Sequence, residues 1–326
     1  MTNGTLPVMA HPIDRCVLGT SGIRDESGYR MLDYFMAAGG TCIDTARVYG
    51  GGICEQAVGG WIAKNNPSDL VVIGKGAHPP ACRPDAIKAD LAESLDRLEL
   101  QKIDIYLLHR DDLQVPVGEW IDALEEERAA GRIGTYGGSN WSRQRMAEAN
   151  VYADTNGRPR MAALSNHFSL AEPVEMLHPG CAGTSIEDQR WLTETGIVLI
   201  PWSSQARGFF SDVNRDLLDP NLWRCWDTPE NRARRDRARL LAADHGVAAI
   251  NIALAFVLSQ PFATMPIIGP RDTGELAIAL AGADITLTEA ERQWLAEGTA
   301  TNGSTSRFAE EQGALDDPDG SHARSG

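Results

Sequence analysis

Eight short runs of β-branched and other apolar residues recur along the chain, each followed by a helical pattern, and this rhythm restricts the fold more than any other feature. The runs fall at residues 18–22, 41–46, 70–75, 103–109, 133–140, 161–166, 197–204 and 265–269. Their apolarity is continuous rather than alternating, which suits strands covered on both faces, the habit of parallel sheets. In the first intervening stretch Met31, Leu32, Phe35 and Met36 form one face, and Gly39-Gly40 stops it. Ile87, Leu91, Leu95 and Leu98 make a stripe behind Pro84, while Val117, Ile121, Leu124 and Arg128 lead to Gly131 as a C-terminal cap. Eight such units in 326 residues predict an α/β chain folded as a single (β/α)8 TIM barrel over residues 1–296. A doubly wound sheet is the rival. It calls for a G-x-G-x-x-G turn after the first strand, a spacing that LGTSGIRDESG lacks.

Two segments break the rhythm. A long loop runs from about Ser203 to Glu230 after the seventh strand, and a polar tail covers 297–326. The tail sets Glu297, Glu310, Glu311, Asp316, Asp317 and Asp319 against Arg307 and Arg324, with Phe308 its only aromatic, so its last dozen residues read as disordered. Acidic residues outnumber basic ones by 45 to 30, leaving a net charge of -15 that repels phosphate backbones and anionic membranes. Neither nucleic acid nor a membrane is an expected partner, and no apolar run approaches the length of a span. The cysteines Cys16, Cys42, Cys54, Cys82, Cys181 and Cys225 form no C-x-x-C pair, and the first residues lack a secretory apolar core. The expectation is a cytoplasmic protein with reduced thiols packed as small core residues. Its oligomeric state is not legible.

In a barrel the working residues sit where strands end, so the polar residues closing each apolar run carry the functional signal. Asp44 closes the second run, Tyr49 follows it, Lys75 closes the third and His109 the fourth. Singly, each has a structural explanation: a helix cap, a packing ring, a snorkelling amine, a satisfied core histidine. Together, at consecutive strand ends around one pocket, they suit proton donation to a carbonyl oxygen as hydride reaches its carbon. A neighbouring Lys75 ammonium would lower the Tyr49 pKa, two to three units requiring roughly 3–4 kcal/mol of differential stabilisation. Asp44 would keep Lys75 charged, and His109 would orient the carbonyl and share the proton transfer.

These four residues resemble the catalytic tetrad of the aldo-keto reductases, a family of NAD(P)H-dependent barrel oxidoreductases. The resemblance covers about residues 15–295, with IDTARVYGGG, IYLLHRDD, GGSNW, PWSSQARGFF and IIGPRDTGEL in family order. It implies an extended nicotinamide cofactor bound without a Rossmann fingerprint. By the same resemblance Ser139 and Asn140 hold the nicotinamide carboxamide, Trp202 stacks on the ring, and Ser203, Gln205 and Arg207 belong to a loop over the pyrophosphate. Thr20, Ser165, Gly269, Arg271 and Glu275 complete the cofactor contacts, Asp44 counting among them too. Arg271 falls where the family often places a cation for the 2′-phosphate, which favours NADPH, with NADH open.

The family pattern is also broken. Ser165 replaces a usual glutamine, Ser21 an aromatic, and Ala279 an adenine-facing asparagine, while HRPD becomes HRDD at Asp111 and Asp112. The resemblance implies a small carbonyl compound as substrate and places Arg110, Asp111, Asp112, Phe209, Phe210, Trp223 and Trp226 in the loops that set specificity in the family; the polar groups near His109 point to a hydroxylated, sugar-like or polyol-derived carbonyl. The plainer reading packs those aromatics into the insertion and pairs Arg110 with a nearby aspartate. His11, His78, His167, His178, His245 and His322 show no metal-ligand spacing, so no metal is expected. Two further functions stay open on the sequence: Schiff-base chemistry on Lys75, and a non-catalytic, cofactor-sensing regulator of the same fold.

Overall fold

The computed structural model describes residues 16–212 and 220–298. All eight apolar runs form parallel strands: β1 (Val17–Gly19), β2 (Cys42–Asp44), β3 (Val71–Gly76), β4 (Ile103–Leu108), β5 (Ile133–Ser139), β6 (Ala163–Ser165), β7 (Val198–Leu199) and β8 (Ile267–Ile268). They lie in the order β7-β6-β5-β4-β3-β2-β1-β8. The ends of that sheet meet through a parallel bridge between Leu199 and Thr264. Met265 N donates to Leu199 O at 2.8 Å and Ile267 N to Pro201 O at 2.9 Å, so the sheet closes as a (β/α)8 barrel.

The connections are α1 (Tyr29–Ala37), α2 (Ile53–Asn65), α3 (Ile87–Leu98), α4 (Val117–Ala129), α5 (Arg143–Thr155) and α6 (Ile186–Thr195). In α1 only Leu32 and Phe35 of the expected face are fully buried, and in α3 Leu95 is only partly covered. The loop expected at 203–230 is not structureless. A 3-10 turn (Ala206–Gly208) and α7 (Pro220–Trp226) lie within it, and α8 (Pro229–His245) and α9 (Ala249–Leu258) precede β8. Phe209 and Phe210 are fully buried and Trp226 is 1% exposed, so these aromatics pack the insertion. α10 (Thr273–Ala281) and α11 (Glu289–Glu297) follow β8. The tail beyond Gly298, including Phe308 and its acidic residues, lies outside the described residues.

Alternation along each strand separates two cores. Leu18, Ile43, Val72, Leu108, Leu164 and Leu199 face the helices, whereas Val17, Cys42, Ile73, Leu107, Ala163, Ile200 and Met265 fill the barrel. β5 approaches β6 closely because Gly137 has no side chain: a Cβ there would stand 2.1 Å from Ala163 O. Among the cysteines, Cys16, Cys42, Cys54 and Cys225 are buried and Cys82 is partly buried against the core, but Cys181 is partly exposed in the loop after β6, so the expectation of core packing fails for Cys181. No single helix among the described residues is long and apolar enough to cross a membrane.

Candidate active site

The barrel's apolar plug determines where the polar residues point. Two positions beyond Cys42, Ile73 and Leu107 come Asp44, Lys75 and His109; beyond Gly137, Ala163 and Ile200 come Ser139, Ser165 and Trp202. A period of two therefore places all six on the inward side of one rim, at the C-terminal ends of the strands. The register steps by two residues from β2 to β3 and from β3 to β4, with Asp44 opposite Ile73 and Lys75 opposite Leu107, while Ser139 lies directly opposite Ser165.

Lys75 and Asp44 form a buried ion pair, with side chains 3% and 2% exposed. The Lys75 ammonium also donates to Thr45 O and to the Tyr49 hydroxyl, each at 3.1 Å, and the Tyr49 hydroxyl donates to Asp44 Oδ2 at 3.3 Å. His109 completes the group, its ring edge-on to Tyr49 with centroids 6.1 Å apart. Burial alone would depress Lys75, but Asp44 and Tyr49 outweigh it and hold the ammonium above the ordinary lysine range. The Asp44 carboxyl is raised by burial against the pull of Lys75.

Two electrostatic expectations change. Burial and the Asp44 charge push Tyr49 up to about 12, overriding the lowering by Lys75, so the phenol is held protonated rather than poised to ionise. Burial, then the positive charges of Lys75, Arg110 and His78, hold His109 well below its ordinary value. At neutral pH it is an uncharged hydrogen-bonding group, not an imidazolium sharing a proton. Its buried Nδ1 has no hydrogen-bond partner among the described residues.

The expected cofactor residues fall into four places. Ser139, Asn140, Ser165 and Trp202 share the rim with the four residues above. Asn140, in the left-handed region at φ 60°, donates from Nδ2 to Ser139 Oγ at 3.1 Å and to His109 O at 3.4 Å, while its Oδ1 accepts from Ala182 N at 3.2 Å. Ser203, Gln205 and Arg207 occupy the turn after β7, where Ser203 and Arg207 also have positive φ and Gln205 Nε2 donates to Ile250 O at 3.4 Å. Gly269, Arg271 and Glu275 lie beyond β8. Arg271 is not an open cation: its Nε donates to Glu275 Oε1 at 2.7 Å, an i,i+4 pair across the start of α10. Thr20 is set apart, fully buried, with both its N and Oγ1 donating to Asp44 O at 2.9 Å. It fixes the strand end that carries Asp44.

The rim fits a nicotinamide. Ser165 Oγ and Trp202 Nε1 are buried without partners among the described residues, and a Cβ on Gly269 would meet none of their atoms within 4 Å. A carboxamide has both a donor and an acceptor to offer such orphaned groups.

Three further residues take part that motif and spacing did not single out. His78 packs edge-on against His109 at 4.8 Å, and buried His167 packs against Trp202 at 5.1 Å, its pKa lowered by burial to about 4. The signal for both is their place just beyond strand ends, the same rule that marks His109. Buried Asp90 on α3 accepts from Ala77 N at 2.8 Å and pairs with Arg47 at 3.0 Å, tying the loop of Tyr49 to the exit of β3.

The sequence profile of the aldo/keto reductase family matches residues 16–297. A norsolorinic acid reductase of Emericella nidulans is 26% identical over 292 residues, 82% of this chain and 71% of its own. The glycerol dehydrogenase AKR11B4 of Gluconobacter oxydans superposes with a TM-score of 0.73 at 24% identity, covering 90% of this chain and 94% of its own. An aldo/keto reductase of Klebsiella pneumoniae, solved with NADP and acetate, gives 0.66 at 22% identity, covering 86% and 89%.

Proposed function

This chain belongs to the aldo/keto reductase family, and from that premise we propose that it reduces an aldehyde or ketone to the alcohol, with Tyr49 as proton donor and NADPH as the hydride source. One observation carries the reading: the Tyr49 hydroxyl lies 3.1 Å from the Lys75 ammonium and 3.3 Å from Asp44, at the rim shared with His109. The nicotinamide supplies the hydride when bound. Ser139, Asn140 and Ser165 would hold its carboxamide, and Trp202 would cover one ring face.

The chain's own residues do the rest. A substrate carbonyl oxygen placed between Tyr49 and His109 receives a hydrogen bond from the neutral imidazole and then the phenolic proton. The Lys75 ammonium stabilises the phenolate left behind, and Asp44 keeps that ammonium charged in a site where an unpaired lysine would lose its proton. Support for NADPH comes from Arg271 beyond β8 and from the NADP bound in the Klebsiella structure. Because Glu275 engages Arg271, a 2′-phosphate must displace or share that carboxylate. A hydroxylated, sugar-like substrate is favoured by the polar residues Arg110, Asp111 and Asp112 after β4.

Purified protein should oxidise NADPH in the presence of 4-nitrobenzaldehyde and quench its tryptophan fluorescence on binding the cofactor. Binding without turnover across a broad carbonyl panel would point to a cofactor sensor. Absence of both binding and turnover would overturn the reading.

A further inference from the structure

Arg110 follows His109 directly and is partly exposed on the rim. Its guanidinium donates to His109 O at 2.8 Å and to Cys181 Sγ, in the loop after β6, at 3.4 Å. The carbonyl carries no charge, and burial raises the Cys181 thiol, so it is neutral too. The expected pairing with a neighbouring aspartate is absent. Asp111 is gripped by Arg145 through bonds of 2.8 and 3.0 Å, and the Asp112 carboxylate accepts from Gln114 N at 2.9 Å. Arg110 is thus a cation left without an ion pair among the described residues, in a chain whose net charge is -15.

Its position is also informative. Asn140 shares the His109 carbonyl and binds Ala182, so Arg110, Asn140 and the loop after β6 are linked around the end of β4. A guanidinium has five N–H donors, and two contacts leave most of the fork available to a planar or tetrahedral oxyanion. We propose that Arg110 recognises an oxyanion on the substrate, a carboxylate or phosphate a few bonds from the carbonyl that is reduced. This rests on the carbonyl-reductase reading and names its substrate class. The chain's overall charge repels such a molecule at long range, so recognition is a short-range, charge-assisted contact.

The test compares kcat/KM for two matched pairs, 4-carboxybenzaldehyde with its methyl ester and glyceraldehyde 3-phosphate with glyceraldehyde. Each pair is run on wild type, Arg110→Gln and Arg110→Lys. Wild type should prefer the anionic member of one pair by tenfold or more, and the pair that shows it distinguishes carboxylate from phosphate. Arg110→Gln should bring that ratio to within about twofold, chiefly through KM, and Arg110→Lys should keep part of it. Wild-type ratios near one, or an equal loss on both members in Arg110→Gln, would overturn the assignment. No turnover of any of the four would instead overturn the carbonyl-reductase reading beneath it.

Discussion

Replacing Lys75 with methionine keeps most of the side-chain volume and removes one charge from a pair that water barely reaches. Asp44 is then stranded at 2% exposure with only the Tyr49 hydroxyl to answer it. Breaking a buried pair from one side costs about 3–5 kcal/mol, since the remaining ion keeps its desolvation penalty and loses its compensation. At roughly 2–4 °C per kcal/mol for a large domain, Tm should fall on the order of 10 °C. The sign of the pH effect follows from Asp44. Its carboxyl is already raised by burial and rises further without Lys75, so protonation relieves the strain at low pH and the loss grows as pH rises. Thermal and urea unfolding of wild type, Lys75→Met, Asp44→Asn and the double variant at pH 5 and 7.5 would measure it. The double variant should recover much of the loss. A Lys75→Met protein within about 1 kcal/mol of wild type at pH 7.5, or a double variant no better than the sum of the singles, would refute the reasoning.

Tyr49→Phe should lower kcat at least tenfold, a barrier change above about 1.4 kcal/mol, with NADPH affinity by fluorescence titration nearly unchanged. The Tyr49 pKa of about 12 gives the two reaction directions opposite pH profiles: reduction needs the phenol and should persist into alkaline solution, whereas alcohol oxidation needs the phenolate and should rise with pH. Because His109 stays neutral well below pH 6.5, reduction should show no histidine-linked loss between pH 8 and 6.5 in a steady-state series. Arg271→Ala should weaken NADPH about ten- to a hundred-fold and NADH little in equilibrium titrations, while Glu275→Gln, which removes the carboxylate charge that competes with a 2′-phosphate, should tighten NADPH. Gly137→Ala should cost about 1–3 kcal/mol by forcing β6 away from its neighbour, read from the denaturation midpoint.

The position of the candidate site is legible in the sequence because the polar residue that closes an apolar run is a local feature. Cys42 and Asp44, Ile73 and Lys75, and Leu107 and His109 each place an apolar residue in the plug and a polar one at the rim above it. His78 and His167 obey the same strand-end rule, but metal-ligand spacing, the usual question put to a histidine, does not reveal them. The insertion aromatics are ambiguous for a different reason. Whether Phe209 lines a pocket or packs beneath it depends on α7 and α8, which no local pattern encodes.

Eight apolar runs, their helical partners and the polar residues at their ends were thus determined by sequence alone, since strand and helix periodicities are written in neighbouring residues. Tertiary structure decided the electrostatics and the pairing. The rise of Tyr49 to about 12 sums burial with the Asp44 and Lys75 charges, and desolvation is set by everything packed around the ring. Arg145 lies 34 positions from Asp111, yet by taking that carboxylate it leaves Arg110 without an acidic partner among the described residues; Cys181, 71 positions from Arg110, supplies a neutral acceptor instead. Charges find their partners by distance in the fold, and closing the barrel is what fixes those distances.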